Sequence, residues 1–165
     1  MTEADSFEVG ASQPTTERPG RAMGVDLGAR RIGIAVSDSS GTMASPRTTV
    51  VRSGDAERDR RALVALAVEE EAVIVVVGHP LALDGSRTAA ARAAEAELEL
   101  LAPMLDAVGI DAVLFDERLT TVSAQRALSE GGTRAHKQRA VVDRAAAAVL
   151  LDAWLDARRG RNDRA

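Results

Sequence analysis

Three carboxylates stand where a carboxylate is costly. Asp26 interrupts the apolar run in "RAMGVDLGARRIGIAVSD", between Val25 and Leu27. Glu117 follows "DAVLFD", where a buried strand would end. Asp143, in "AVVDRAAAAVLL", has Ala147 and Leu150 at i+4 and i+7, so it lies on the helix stripe that faces a sheet. Brought together and left unpaired, such acids repel one another and hold their protons more tightly. A hard divalent cation, Mg²⁺ or Mn²⁺, removes that repulsion, because these ions take carboxylate and water oxygens. Two such ions about 3.5–4 Å apart can activate water and stabilise the leaving oxygen of a phosphodiester. Plainer readings stand beside these. Asp26 can pair with Arg30 or Arg31, Glu117 can be a surface acid paired with Arg118, and Asp116 can take the place of Glu117.

The elements that must position these acids follow from periodicity. Residues 22–28 and 31–37 read as a hairpin around "GAR". A third strand is expected at about 42–51, with Pro46 placing it at an edge. Residues 55–71 carry helical spacing, with Asp55 as cap. The run Val73 to Val77 reads as a strand buried on both faces. A loop containing Gly85 leads to a helix over 86–108, beginning at Ser86 and bent or broken at Pro103. "DAVLFDERL" is a second buried strand. "TTVSAQRALSEGG" is expected to be a helix capped by Thr120 or Thr121, and 134–158 a last, alanine-rich helix. The order predicts an α/β fold: a mixed five-stranded sheet, three antiparallel strands followed by βα units, with helices on both faces. Ligands of such sheets bind beyond the carboxyl ends of the strands.

Composition narrows the function classes. The 165 residues suit one domain, and 45 % hydrophobic content excludes wholesale disorder. Aromatics make up only 2 %, which argues against a module that grips single strands by stacking bases on rings. The absence of cysteine removes disulfides, thiolate catalysis and Cys-type zinc sites. Net charge is −4, most of it from Glu3, Asp5, Glu8 and Glu17 in residues 1–20, so any nucleic-acid contact must come from local basic clusters. No apolar run resembles a signal peptide or reaches the length of a membrane span, so a cytoplasmic protein with no membrane partner is expected. Residues 1–20 read as a disordered tail, 21–158 as the domain and 159–165 as a flexible tail.

Four segments occur in a familiar order: "GVDLGARRIGIAVSD", "VVVGHPLALDGS", "FDERLTTVSAQRAL" and "VVDRAAAAVLLDAWL". Together they resemble the YqgF/RuvX family of pre-16S rRNA nucleases and Holliday-junction-resolvase-like proteins, over about residues 21–158. The resemblance implies an RNase H-like nuclease domain. It makes Asp26, Glu117 and Asp143 the catalytic and metal-holding residues, with Mg²⁺ or Mn²⁺ as cofactor. Arg30 and Arg31 match the basic hairpin positions, Thr120 and Thr121 the "LTT" stretch, and Gly78, Pro80 and Gly85 the loop after the fourth strand. Two departures stand out. His79 replaces the usual leucine, and is either a neutral loop residue or a proton donor or phosphate contact near the metals. Junction resolvases of this fold often carry a second aspartate on the last helix, where this chain has Ala146 and Ala147.

"TRAHKQR" gathers Arg134, His136, Lys137 and Arg139 just before Asp143. This is either a phosphate-positioning cluster or a solvated helix start. With Arg30, Arg31 and Arg118 it completes the candidate nucleic-acid contacts, with His79 and Thr120 as accessory candidates. The expected function is a metal-dependent endonuclease that processes the 5′ end of pre-16S rRNA, with ribosomal particles as partners, acting as a monomer or homodimer. Cutting of branched DNA in recombination is the nearest alternative. A non-catalytic RNA-binding or regulatory factor, and an actin-like nucleotide-binding protein that uses "DLG" as a phosphate loop, are further alternatives. The last needs two such domains around a cleft, and this chain offers one.

Overall fold

The computed structural model describes residues 19–119 and 135–164, with the backbone alone for 119 and 135–140. Residues 1–18 of the expected tail and the expected helix beginning at Thr120 or Thr121 lie outside the described residues. Strands β1 (Arg21–Leu27) and β2 (Arg31–Ser37) form the antiparallel hairpin, and β3 (Ala44–Val51) pairs antiparallel with β2 at the edge. The register of β3 shifts where Ala35 faces Pro46 and Ile34 faces Thr48, so the proline falls at an irregularity. Helix α1 (Ala56–Glu69) returns the chain to β4 (Ala72–His79), which pairs parallel with β1. Helix α2 (Ala89–Asp106) leads to β5 (Asp111–Asp116), parallel to β4, and a single 3-10 turn (Glu117–Leu119) follows. Helix α3 (Ala135–Asn162) continues into the 159–165 stretch read as a tail. The sheet order is β3-β2-β1-β4-β5.

Asp55 caps α1 by accepting from the N–H groups of Glu57 and Arg58 at 3.1 and 3.2 Å. Helix α2 departs from expectation at its start. Its cap is Thr88, whose Oγ1 accepts from Ala91 N at 3.0 Å, while Ser86 is already used in the preceding turn. Pro103 lies inside α2, which runs on to Asp106, so the proline does not break the helix.

The sheet separates two cores. Met23, Val25, Ile32, Ile34, Val75 and Val77 pack with Leu63, Ala67, Leu101 and Leu105 of α1 and α2. Ala22, Ala35, Ile74 and Val76 pack with Ala147, Leu151, Trp154 and Leu155 of α3 on the other face. Alternation along each strand dictates this split, and the helices do lie on both faces. Glycine brings α3 unusually close to the sheet. A Cβ on Gly24 would stand 2.9 Å from Leu151 Cβ and 3.0 Å from the Ala147 carbonyl oxygen. A Cβ on Gly33 would overlap the carbonyl oxygen of Asp143.

Candidate active site

The close approach of α3 determines where the acids meet. Asp26 pairs with Gly33 across the hairpin, so both belong to the same face as Ala22 and Gly24. Because α3 rests its backbone on Gly33 at Asp143, that aspartate sits beside Asp26. Glu117 arrives from the opposite side. Val25 of β1, Val77 of β4 and Leu114 of β5 lie in one row, and Gly78 is the next residue of β4. A Cβ on Gly78 would occupy the position of Glu117 Oε1. The missing side chain lets the Glu117 carboxyl fold across β4 and reach Asp26.

Asp26 and Glu117 are hydrogen-bonded through their carboxyl groups, so one of them keeps its proton. Burial first, and then the Asp26 charge, push Glu117 up to about 7. Burial and the Asp143 charge also raise Asp26, against the opposing effect of the Glu117 hydrogen bond. Asp143 is raised by burial and eased by Arg31. The arginine expected against Asp26 therefore exerts its charge on Asp143 instead. Among the described residues, no three Asp, Glu or His side chains already enclose a metal-sized space. The donor set still fits a hard divalent cation: oxygens alone, half-buried, with carboxylates that resist ionising together.

The other face of the same sheet end holds a second group of acids. His79 pairs with Asp116 in the β4–β5 register, and its Nε2 lies 2.8 Å from Glu95 Oε1 on α2. His79 thus points away from the three acids. Arg87 Nε donates to Glu95 Oε1 at 3.0 Å. Asp116 is the partner of Arg118: its Oδ1 accepts from Arg118 N at 2.9 Å, and Nε and Nη2 of the guanidinium close on Oδ2 at 2.8 and 2.5 Å. That fork and cap fix the turn that carries Glu117, so Asp116 is the clamp of the site and does not replace Glu117 in it. Periodicity gave no sign of this bracket, since it depends on the 3-10 turn.

Of the expected nucleic-acid contacts, Arg30 is exposed on the β1–β2 turn and Arg31 is half-buried near Asp143. Arg118 is held by Asp116. Thr120 and Arg134 lie outside the described residues, and Lys137 and Arg139 are placed on α3 by backbone alone. Arg52 escaped the sequence reading. Its Nε donates to the Gly28 carbonyl at 2.7 Å and its N–H to that of Arg30 at 3.0 Å, holding the turn that follows Asp26. The clue was the spacing of an arginine just beyond the expected third strand.

Residues 20–157 match the family model described as RuvX, Holliday junction resolvase. The chain belongs to the RuvX family. A Mycobacterium ulcerans relative named "Putative pre-16S rRNA nuclease" is 49 % identical over 148 residues, covering 89 % of this chain and 84 % of its own. A Mycobacterium tuberculosis relative of the same name is 48 % identical over 140 residues, covering 84 % and 80 %. RuvX membership makes the protein a nuclease of the hydrolase class. Among solved structures, Thermus thermophilus RuvC in complex with a Holliday junction substrate matches with TM-score 0.54 at 13 % identity, covering 86 % of this chain and 96 % of that one. The yeast mitochondrial Holliday junction resolvase Ydc2 matches with TM-score 0.52 at 11 % identity, covering 83 % and 78 %. These two establish the RNase H-like resolvase fold. Among the described residues no helix is long and apolar enough to cross a membrane.

Proposed function

We propose that this RuvX protein is a metal-dependent endonuclease that cuts structured RNA, trimming the 5′ end of the 16S rRNA precursor. The observation that carries the reading is the convergence of Asp26, Glu117 and Asp143, each with raised proton affinity, at the carboxyl end of the sheet. Asp26 and Glu117 would hold Mg²⁺ or Mn²⁺ from the sheet, and Asp143 would complete the shell from α3. Such a cation supplies the means to activate water and to stabilise the leaving oxygen. The protein's own residues do the rest. Asp26 and Glu117 would share a proton in the free protein and give it up on taking a cation. Asp116 and Arg118 hold Glu117 in reach. Arg30, Arg31 and the basic start of α3 position phosphates. The relatives' name supports the RNA substrate; the work would then be done in the cytoplasm, on assembling ribosomal particles.

A branched DNA substrate is the second reading, favoured by the fold shared with two junction resolvases. The test incubates the protein with labelled 16S precursor fragments and, in parallel, with a four-way DNA junction. Each is run with Mg²⁺, with Mn²⁺ and with EDTA, beside Asp26→Asn. Metal-dependent RNA cutting that disappears in the variant is the expected result. Junction cutting alone would move the function to recombination. Equal binding by both proteins without any cutting would make the protein a binding factor.

A further inference from the structure

Asp26 leads directly into the β1–β2 turn, so whatever fixes that turn fixes the carboxylate. The turn is tightly closed. Gly28 N donates back to the Asp26 carbonyl at 3.1 Å. A Cβ on Gly28 would stand 2.3 Å from the carbonyl oxygen of Arg31, so the two sides of the turn touch. The carbonyls of Gly28 and Arg30 lie past the last pair of the β1–β2 ladder, Leu27 with Ile32. Arg52 takes both of them, the first through Nε at 2.7 Å and the second through its backbone N–H at 3.0 Å.

Arg52 is itself anchored from behind. It follows β3, and the next residue, Ser53, donates its N–H to the two carboxyl oxygens of Asp59 at 3.1 and 3.3 Å. Asp59 is buried in the first turn of α1. The hydrogen bonds of Ser53 first, and then the charges of Arg52 and Arg58, hold its carboxyl below the usual range. A continuous path therefore runs from α1 through Asp59, Ser53 and Arg52 to Gly28 and Asp26. On the other face of the sheet, α3 rests on Gly33, the cross-strand partner of Asp26. The corner that carries Asp26 is thus held from both faces, much as Asp116 and Arg118 hold the turn that carries Glu117.

We propose that Arg52 is the positioning residue of Asp26: through the Gly28 carbonyl it keeps that carboxylate in reach of Glu117 and Asp143, the set that a divalent cation would take. Arg52 acts as a hydrogen-bond donor to the backbone, and its charge is secondary. The inference rests on the cation reading above and adds a residue outside the three acids on which cation affinity depends.

The test separates the donor from the charge. In Arg52→Gln the amide nitrogen is bonded to the same carbon position as Arg52 Nε, so the donor stays and the charge goes. In Arg52→Lys a methylene stands in place of Nε, so the charge stays and the donor goes. Mn²⁺ binding to the full chain without nucleic acid is read from the paramagnetic resonance of the free ion, and folding from urea unfolding. Turnover is read as kcat and KM on a labelled 16S precursor fragment. Arg52→Lys should weaken Mn²⁺ binding and lower kcat by about tenfold each, with KM unchanged. Arg52→Gln should keep both near the wild type. The reverse order, with KM raised and salt dependence reduced in Arg52→Gln alone, would make Arg52 a phosphate contact and overturn the proposal. Unchanged Mn²⁺ binding in both variants, with only urea stability lowered, would make it a structural brace and overturn the proposal too. Should Arg52→Lys not fold, Arg52→Met, which has neither donor nor charge, takes its place: the same loss of Mn²⁺ affinity supports the positioning role, and wild-type affinity overturns it. A wild type that binds Mn²⁺ beside an Arg52→Lys that matches it sinks the positioning role and leaves the cation reading standing. A wild type that neither binds Mn²⁺ nor cuts overturns both.

Discussion

On the α1/α2 face of the sheet end, Asp116 closes on Arg118, and Glu95 on Arg87 and His79. On the α3 face, a strand's thickness away, Asp26, Glu117 and Asp143 meet chiefly one another. The same residue types end in opposite electrostatic states. The hydrogen bonds of Arg118 hold Asp116 below the usual carboxylate range, and those of Arg87 do the same for Glu95. Burial holds the other three above it, helped by the Asp143 charge at Asp26 and by the Asp26 charge at Glu117. Paired acids at a strand end are structural clamps. Acids buried together, with raised proton affinity, are the donor set that a divalent cation would take.

The largest expected effect falls on the α3 face. Asp26→Asn should lower the cleavage rate by more than about a hundredfold, beyond what outer-shell partners of a metal cost. A single-turnover assay with saturating RNA checks it. Two glycines then separate placement from packing. Gly33→Ala sets a Cβ against the Asp143 backbone, which cannot yield cheaply. It should cost about 1–3 kcal/mol in urea unfolding as well as activity. Gly78→Ala meets the movable end of Glu117, so it should lose activity with a much smaller loss of stability.

The paired side should respond more mildly. Arg118→Ala removes the bracket on the turn that carries Glu117, and should lower Mn²⁺ affinity and cleavage rate together by about tenfold. If Arg118 served mainly to bind substrate phosphate, the change would fall on KM and on the salt dependence of binding instead. The smallest effect is thermal. Glu117 holds its proton up to about 7 in the folded protein, against an ordinary 4.5. The folded state therefore binds more protons than the unfolded state between those values, and stability falls as pH rises through that window. Below pH 4.5 the cost is absent, and above pH 7 it is complete. Glu117→Gln removes it, and should raise Tm by about 2–4 °C at pH 8 and by almost nothing at pH 4.5, read by scanning calorimetry.

Much of this arrangement was legible before any coordinates. The alternation around Asp26 and the 3, 4 spacing around Asp143 fix which way those side chains face, and the β-branched run marks β4 as a strand buried on both faces. The parts that were not legible depend on contacts between distant segments. Nothing near Gly33 or Gly78 in the chain says that a helix carbonyl or a glutamate will occupy the space of the absent Cβ. Ser86 and Thr88 are equally good caps by type, and only the turn over Asp84 and Ser86 decides for Thr88. Arg118 beside Glu117 reads as a phosphate contact or as a partner for Glu117, until the 3-10 turn swings it onto Asp116.

The central claim is that Asp26, Glu117 and Asp143 on the α3 face would together take up a divalent cation. Titration calorimetry of Mn²⁺ into the intact chain at pH 6.5, repeated in buffers of different ionisation enthalpy, tests it most directly. The predicted result is saturable binding with release of the proton shared by Asp26 and Glu117, lost in Asp26→Asn and retained in Asp116→Asn with weakened affinity. Binding of equal strength in the wild type and Asp26→Asn, or binding with no proton released, would contradict the account.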